Sequence, residues 1–303
     1  NSNVILSENS KYILLEADEF DRSFLTIQPD IAVISSMDAD HLDIYENKNS
    51  FVDSFIKFTK LIKPEGWFIC QTKLKNALPK NSQTIYYGID AQADMAAQNV
   101  RIEEGTFIFD FRAPGMTIQN IKMTVPGSHY IENATAAMAI GYKLGLNAEQ
   151  LKKGIESFKG VSRRFEVRHI NNPVFIDDYA HHPAEINVTI EAIRMLYPGR
   201  KITGIFQPHL YSRTRDFADE FATSLSKLDH IILLDIYPAR EKPINGISSS
   251  VLLDKIENSN KRILSKAEVL RYAETLKTDV LLTIGAGDIG FLADKIEQIV
   301  KRS

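Results

Sequence analysis

The sequence predicts an α/β protein built as two domains in tandem. Short apolar runs alternate with helically spaced apolar residues in both halves of the chain, the pattern of parallel strands joined by crossover helices. Polar clusters recur just beyond the carboxyl ends of those runs, where open α/β sheets bind their ligands. One stretch between them, Gln83 to Val125, switches to period two and predicts a small antiparallel sheet attached to the first domain.

Size and composition exclude several function classes. The 303 residues are enough for two domains with cores, and 44% hydrophobic with 25% charged residues is an ordinary globular balance. A net charge of −3 without a polybasic run gives no reason to expect nucleic-acid binding. The single cysteine, Cys70, allows no internal disulfide and lies in the apolar run Trp67–Cys70, which reads as a buried structural thiol. Neither a membrane-length apolar segment nor a signal peptide is present, so a cytoplasmic setting is expected. The chain opens on Asn1 without an initiator Met, and the first strand-like run follows almost at once; it reads as a piece of a longer protein.

Taken in order, Tyr12–Leu15 reads as a short buried strand ending in Glu16-Ala17-Asp18-Glu19-Phe20-Asp21. Ile31–Ile34 is a second, ending in Ser35-Ser36-Met37-Asp38-Ala39-Asp40-His41-Leu42-Asp43. Phe51, Phe55, Phe58 and Ile62 line one face of the next helix, which Pro64-Glu65-Gly66 stops before the strand Trp67–Cys70. Two helices, near Ile131–Leu144 and Ala148–Phe158, flank the helix stop Gly145. Lys159-Gly160-Val161-Ser162 is the linker, giving domains 1–159 and 160–303. In the second domain, strands are expected at Val174–Ile176, Lys201–Phe206, Ile231–Leu234 and Val280–Ile284.

The richest stretch is Asp177-Asp178-Tyr179-Ala180-His181-His182-Pro183. It follows a strand, and Pro183 suits the first turn of a helix whose free N–H groups favour an anion. Gln207-Pro208-His209-Leu210-Tyr211-Ser212-Arg213-Thr214-Arg215 adds an imidazole, hydroxyls and guanidiniums suited to gripping carboxylates. Glu16 with His41 suggests a metal pair, against the alternative of solvated first-turn acids. Arg163-Arg164 at the linker fits either a phosphate grip or solvated cations. Three imidazoles raise a zinc hydrolase, but the chain lacks H-E-x-x-H and paired cysteines. Gly285-Ala286-Gly287-Asp288-Ile289-Gly290 matches G-x-G-x-x-G, yet no further strand with an acidic residue follows. The glycines therefore serve a tight strand–helix turn, and a nicotinamide dehydrogenase is disfavoured.

As an ordered set these motifs, with Pro126-Gly127-Ser128-His129…Asn133-Ala134, Gly160–Glu166 and Tyr237-Pro238-Ala239-Arg240-Glu241, resemble the Mur ligases over nearly the whole chain. The resemblance implies a central ATPase domain, truncated because the phosphate-binding loop and the uridine-nucleotide domain expected upstream are missing, followed by a Rossmann-like C-terminal domain. It implies ATP-driven amide-bond formation joining L-alanine to UDP-N-acetylmuramate through an acyl phosphate, with this piece inactive alone. By the same resemblance, Glu16 and His41 would ligate Mg²⁺, His129 and Asn133 would hold adenine, Arg164 would reach the ATP phosphates and Asp178 the ribose. Tyr179, His181, His209 and Arg213 would line the acyl-phosphate and amino-acid side. Tyr130 and Leu210 depart from the family pattern, where Asn and Arg are common. Competing expectations are a tripeptide-adding recycling ligase, a metal-dependent phosphohydrolase using Asp38, Asp40, His41 and Asp43, and a non-catalytic remnant.

Overall fold

The computed structural model describes residues 9–37, 45, 47–81, 83–89, 92–103, 105–169 and 171–302. Two six-stranded sheets carry the architecture. The first begins with β1 (Ile31–Ile34), followed by α1 (Lys48–Thr59), β2 (Trp67–Gln71) and β3 (Thr84–Gly88). Asn47 caps α1 by accepting the Ser50 N–H, and Phe51, Phe55 and Phe58 turn inward as the spacing predicts. The helix stops at Thr59, five residues before Pro64, and Ile62 is buried from the turn that follows. β1, β2 and β3 pair in parallel, and β3 pairs in parallel with β4 (Met95–Glu103).

β5 (Thr106–Ala113) and β6 (Met116–Met123) complete that sheet in the order β1-β2-β3-β4-β5-β6. Two-residue connections join β4 to β5 and β5 to β6, which only antiparallel hairpins permit. The period-two stretch thus extends the parallel strands edge to edge, and its first strand, β3, is parallel rather than antiparallel. Tyr12–Leu15 forms no strand: Ile13 and Leu14 are 86% and 90% exposed. Apolar composition alone does not make a strand without a ladder partner, and among the described residues β1 pairs only with β2. The clusters at Asp38–Asp43 lie outside the described residues.

α2 (Ser128–Lys143) and α3 (Ala148–Ser157) follow, separated by Gly145 at φ 83° and an Asn147–Gln150 capping box. The second sheet comprises β7 (Glu166–His169), β8 (Val174–Asp178), β9 (Ile202–Phe206), β10 (His230–Leu233), β11 (Lys261–Ile263) and β12 (Val280–Ile284). Its order is β11-β10-β9-β12-β8-β7, parallel except for β7 on β8. Its helices are α4 (Pro183–Leu196), α5 (Tyr211–Asp216), α6 (Ala218–Leu225), α7 (Ser249–Lys255), α8 (Lys266–Ala273) and α9 (Ile289–Val300). β8, β9 and β12 are buried at every position, and apolar residues dominate each of them. The chain clusters into two compact units, Asn1–Gln98 with Phe111–Met116 and Thr135–Leu146, and Asn99–Asp110 with Thr117–Ala134 and Asn147–Ser303. No helix among the described residues is long and apolar enough to cross a membrane.

Candidate active site

The side chains around Asp177, Arg164 and His209 all belong to the second unit, at the carboxyl end of β8 and its neighbours. Asp177 and Asp178 are the last two residues of β8, not the loop beyond it, and both are buried. Asp177 accepts hydrogen bonds from Thr283 Oγ1 at 2.6 Å, Arg163 Nε at 3.1 Å and Arg168 Nη2 at 3.2 Å. Burial raises its carboxyl above the usual range, although Thr283 and the two guanidiniums pull the other way. Asp178 accepts from the Ala180 N–H at 2.8 Å, Thr189 Oγ1 at 3.0 Å and the Phe165 N–H at 3.1 Å. Burial pushes it up to about 6 against those donors. Through these three donors Asp178 ties the linker to β8 and α4.

The linker is folded tightly onto that strand. Arg163 and Phe165 both have left-handed backbones, at φ 60° and 48°, and Phe165 is buried. The alternation sends the two adjacent arginines apart. Arg163 points inward, donating to the Gly285 carbonyl at 2.6 Å and to Asp177. Arg164 points outward, 46% exposed, with its guanidinium 5.2 Å over the Tyr179 ring and Nη1 3.6 Å from Glu185 Oε1. The Tyr130 hydroxyl donates to the Arg164 carbonyl at 2.8 Å, and burial lifts that phenol to about 12. The family departure at Tyr130 therefore has a place here: it braces the linker.

Around Arg164 the structure gathers several expected residues. The His181 ring meets Tyr179 edge-on at 5.3 Å and His209 at 6.1 Å. His209 lies nearly flat against Tyr237 at 5.7 Å, held by a short bridge in which Leu210 N–H donates to the Tyr237 carbonyl and Tyr237 N–H to that of Pro208. Burial first, then the charges of Arg213 and His181, push His209 down to about 4, with Glu241 opposing. Its Nδ1 is buried without a hydrogen-bond partner. Leu210, the second departure, sits at φ 71° between His209 and the helix that carries Arg213. His129 is half-buried against Tyr130, ring centroids 4.3 Å apart, with Nδ1 also lacking a partner. Burial lowers its pKa, Glu132 and Glu185 pulling upward and Arg164 downward. Asn133 is exposed one turn further along α2.

His182 turns away and packs edge-on against Phe217 at 4.6 Å. Glu16 is exposed on an extended segment of the first unit, and His41 lies outside the described residues. Among the described residues, no group of three or more His, Cys, Asp or Glu is placed to hold a metal ion.

The glycine-rich turn serves packing, as its sequence context suggests. A Cβ on Gly285 would lie 2.8 Å from the Gln207 carbonyl, and one on Gly290 2.8 Å from the Arg163 guanidinium carbon. A Cβ on Gly287 would strike Gln207 Oε1 and Tyr237. Gln207, buried, donates to Asp288 at 2.8 Å and accepts the Ile289 N–H at 3.0 Å. A cavity of about 520 Å³ lies beside it, lined by Gln207, Asp235, Tyr237, Lys266 and Asp288 among others. Sequence reasoning singled out neither Lys266, paired with Asp288, nor Glu185. For Glu185 a signal existed: an acid three residues after a capping position, just inside a Pro-led helix.

Fold and site define an α/β protein whose second unit presents guanidinium, imidazole and phenol groups at the carboxyl edge of a mostly parallel sheet. Residues 2–141 match the family described as Mur ligase middle domain, and residues 163–287 match Mur ligase, glutamate ligase domain. The chain belongs to the Mur ligase family. It is 47% identical over 298 residues to the UDP-N-acetylmuramate–L-alanine ligase of Christiangramia forsetii, covering 98% of this chain and 64% of that protein. Against the Parabacteroides distasonis protein of the same name it is 46% identical, covering 99% and 65%. The chain thus spans under two thirds of the length of these relatives. Among solved structures, the Thermotoga maritima UDP-N-acetylmuramate–alanine ligase superposes with a TM-score of 0.73 at 23% identity, over 94% of this chain and 62% of that one. The Thermotoga maritima MurF ligase in complex with ADP gives 0.70 at 18% identity, over 91% and 63%.

Proposed function

We propose that this chain is part of an ATP-dependent ligase that joins L-alanine to UDP-N-acetylmuramate, a step of peptidoglycan precursor synthesis in a cytoplasmic setting. The observation that carries this is identity of about 46% to alanine-adding relatives along almost the entire chain. In this reading residues 1–159 belong to the central ATP-binding domain and residues 160–303 form the C-terminal domain. The longer protein supplies the remaining substrate-binding parts.

The chemistry needs two charge-handling stages. The muramate carboxylate attacks the γ-phosphorus of ATP, expelling ADP and leaving an acyl phosphate. The alanine amine then attacks the acyl carbon, phosphate departs, and the amine gives up a proton. Arg164, outward and only loosely paired, suits the phosphoryl oxygens, whose negative charge must be offset. His209, held neutral well below pH 7, offers no charge to repel an incoming ammonium. Arg213, whose positive charge reaches His209, suits the alanine carboxylate. Tyr179 and His181 line the acyl side, while His129 and Asn133 face adenine. Asp178 lies on the ribose side, and its three donors hold the linker to β8 and α4. Magnesium, with Glu16 and His41 as its expected ligands, carries no step in this reading.

The test is acceptor choice. Full-length protein given ATP and UDP-N-acetylmuramate should release ADP with alanine and far more slowly with the cell-wall tripeptide. ADP release only with the tripeptide would assign it to the recycling reaction, and release with neither would reject the ligase reading.

A further inference from the structure

Glu185, in the first turn of α4, faces both sides of the site at once. Its Oε2 accepts the N–H groups of His181 at 2.8 Å and His182 at 3.1 Å, and lies 3.4 Å from His181 Nδ1. Its Oε1 lies 3.6 Å from Arg164 Nη1. His181 Nδ1 is also 3.1 Å from the Tyr179 carbonyl oxygen. A carbonyl and a carboxylate can only accept, so Nδ1 carries a hydrogen, the tautomer that puts the lone pair of a neutral ring on Nε2.

We infer that Glu185 is a positioning residue that couples Arg164 to His181, holding the guanidinium beside the imidazole until a phosphoryl group takes it. Helix capping accounts for the two N–H bonds to Oε2. It does not account for a second oxygen turned to Arg164, nor for the approach to His181 Nδ1. The Arg164 pair is long and half exposed, the kind worth at most about 1 kcal/mol, so an incoming phosphate displaces the carboxylate easily. The kinetic part of this inference rests on the ligase reading; the ring chemistry of His181 does not.

Glu185→Gln separates coupling from capping, because glutamine still accepts the two N–H groups but carries no charge. In full-length protein the variant should melt close to wild type. Its kcat should fall about tenfold with KM for ATP unchanged or lower, since a negative charge near the phosphates is gone. Glu185→Asp should recover part of kcat. A Gln variant as active as wild type would overturn the proposal, as would a loss appearing only in KM. Nitrogen-15 spectra of histidine-labelled protein give an activity-independent reading. Wild type should show His181 protonated at Nδ1, with that resonance moving in the Gln variant. Protonation at Nε2, or no movement, refutes the coupling even if the ligase reading itself fails.

Discussion

Asp177→Asn tests whether the buried carboxylate of β8 holds the linker in place. The aspartate is fully buried and takes hydrogen bonds from Arg163, Arg168 and Thr283. Arg168 keeps Asp294 at 2.6 Å, Glu297 at 3.3 Å and Glu166 at 3.4 Å, so losing Asp177 leaves it well compensated. Among the described residues, the Arg163 guanidinium keeps one other acceptor, the Gly285 backbone carbonyl at 2.6 Å. Two charge-assisted bonds at roughly 1.5–2 kcal/mol each, with an amide NH₂ now set against a guanidinium, put the cost at about 3–4 kcal/mol. In a unit of this size that lowers the melting temperature by about 10 °C, read by circular dichroism. The reasoning further requires that Arg163→Met and Asp177→Asn cost much less together than the sum of their separate losses. A single-variant loss under about 1 kcal/mol, or full additivity, would refute it.

Three further outcomes follow from the same geometry. Tyr130→Phe removes the hydroxyl that braces the Arg164 carbonyl and should destabilise by about 1 kcal/mol in urea unfolding; no loss would mean the bond is idle. Asp178, lifted to about 6 by burial, makes the folded protein hold a proton more tightly than the unfolded chain. That stability is fully present below the unfolded value near 4 and is lost as pH rises through 6, so wild type should lose about 2 kcal/mol relative to Asp178→Asn between pH 4 and 7. A pH-independent difference would contradict this. His209 should titrate near 4 by histidine NMR, and a midpoint above 6 would remove its neutral role.

Much of this fold was legible because its strands are buried on both faces and so are dominated by apolar residues, β8, β9 and β12 above all. The amphipathic α1 showed through its phenylalanine spacing. Tyr12–Leu15 misled for the same reason: an apolar run signals a strand only where a neighbour pairs with it. At the site, residue types and order pointed to Tyr179, His181 and His209, which the structure gathers. What the sequence did not reveal is direction. Neighbouring Arg163 and Arg164 look alike in one dimension, and only left-handed turns at Arg163 and Phe165 send one inward and the other out. Asp178 likewise reads as a free carboxylate until its three donors are seen.

The central claim is that the full-length protein activates a carboxylate by phosphorylation, and oxygen labelling tests it directly. UDP-N-acetylmuramate carrying ¹⁸O in its carboxylate should, during ATP-dependent joining to L-alanine, pass one labelled oxygen to the released phosphate. Phosphate released without label while the amide forms would contradict the account.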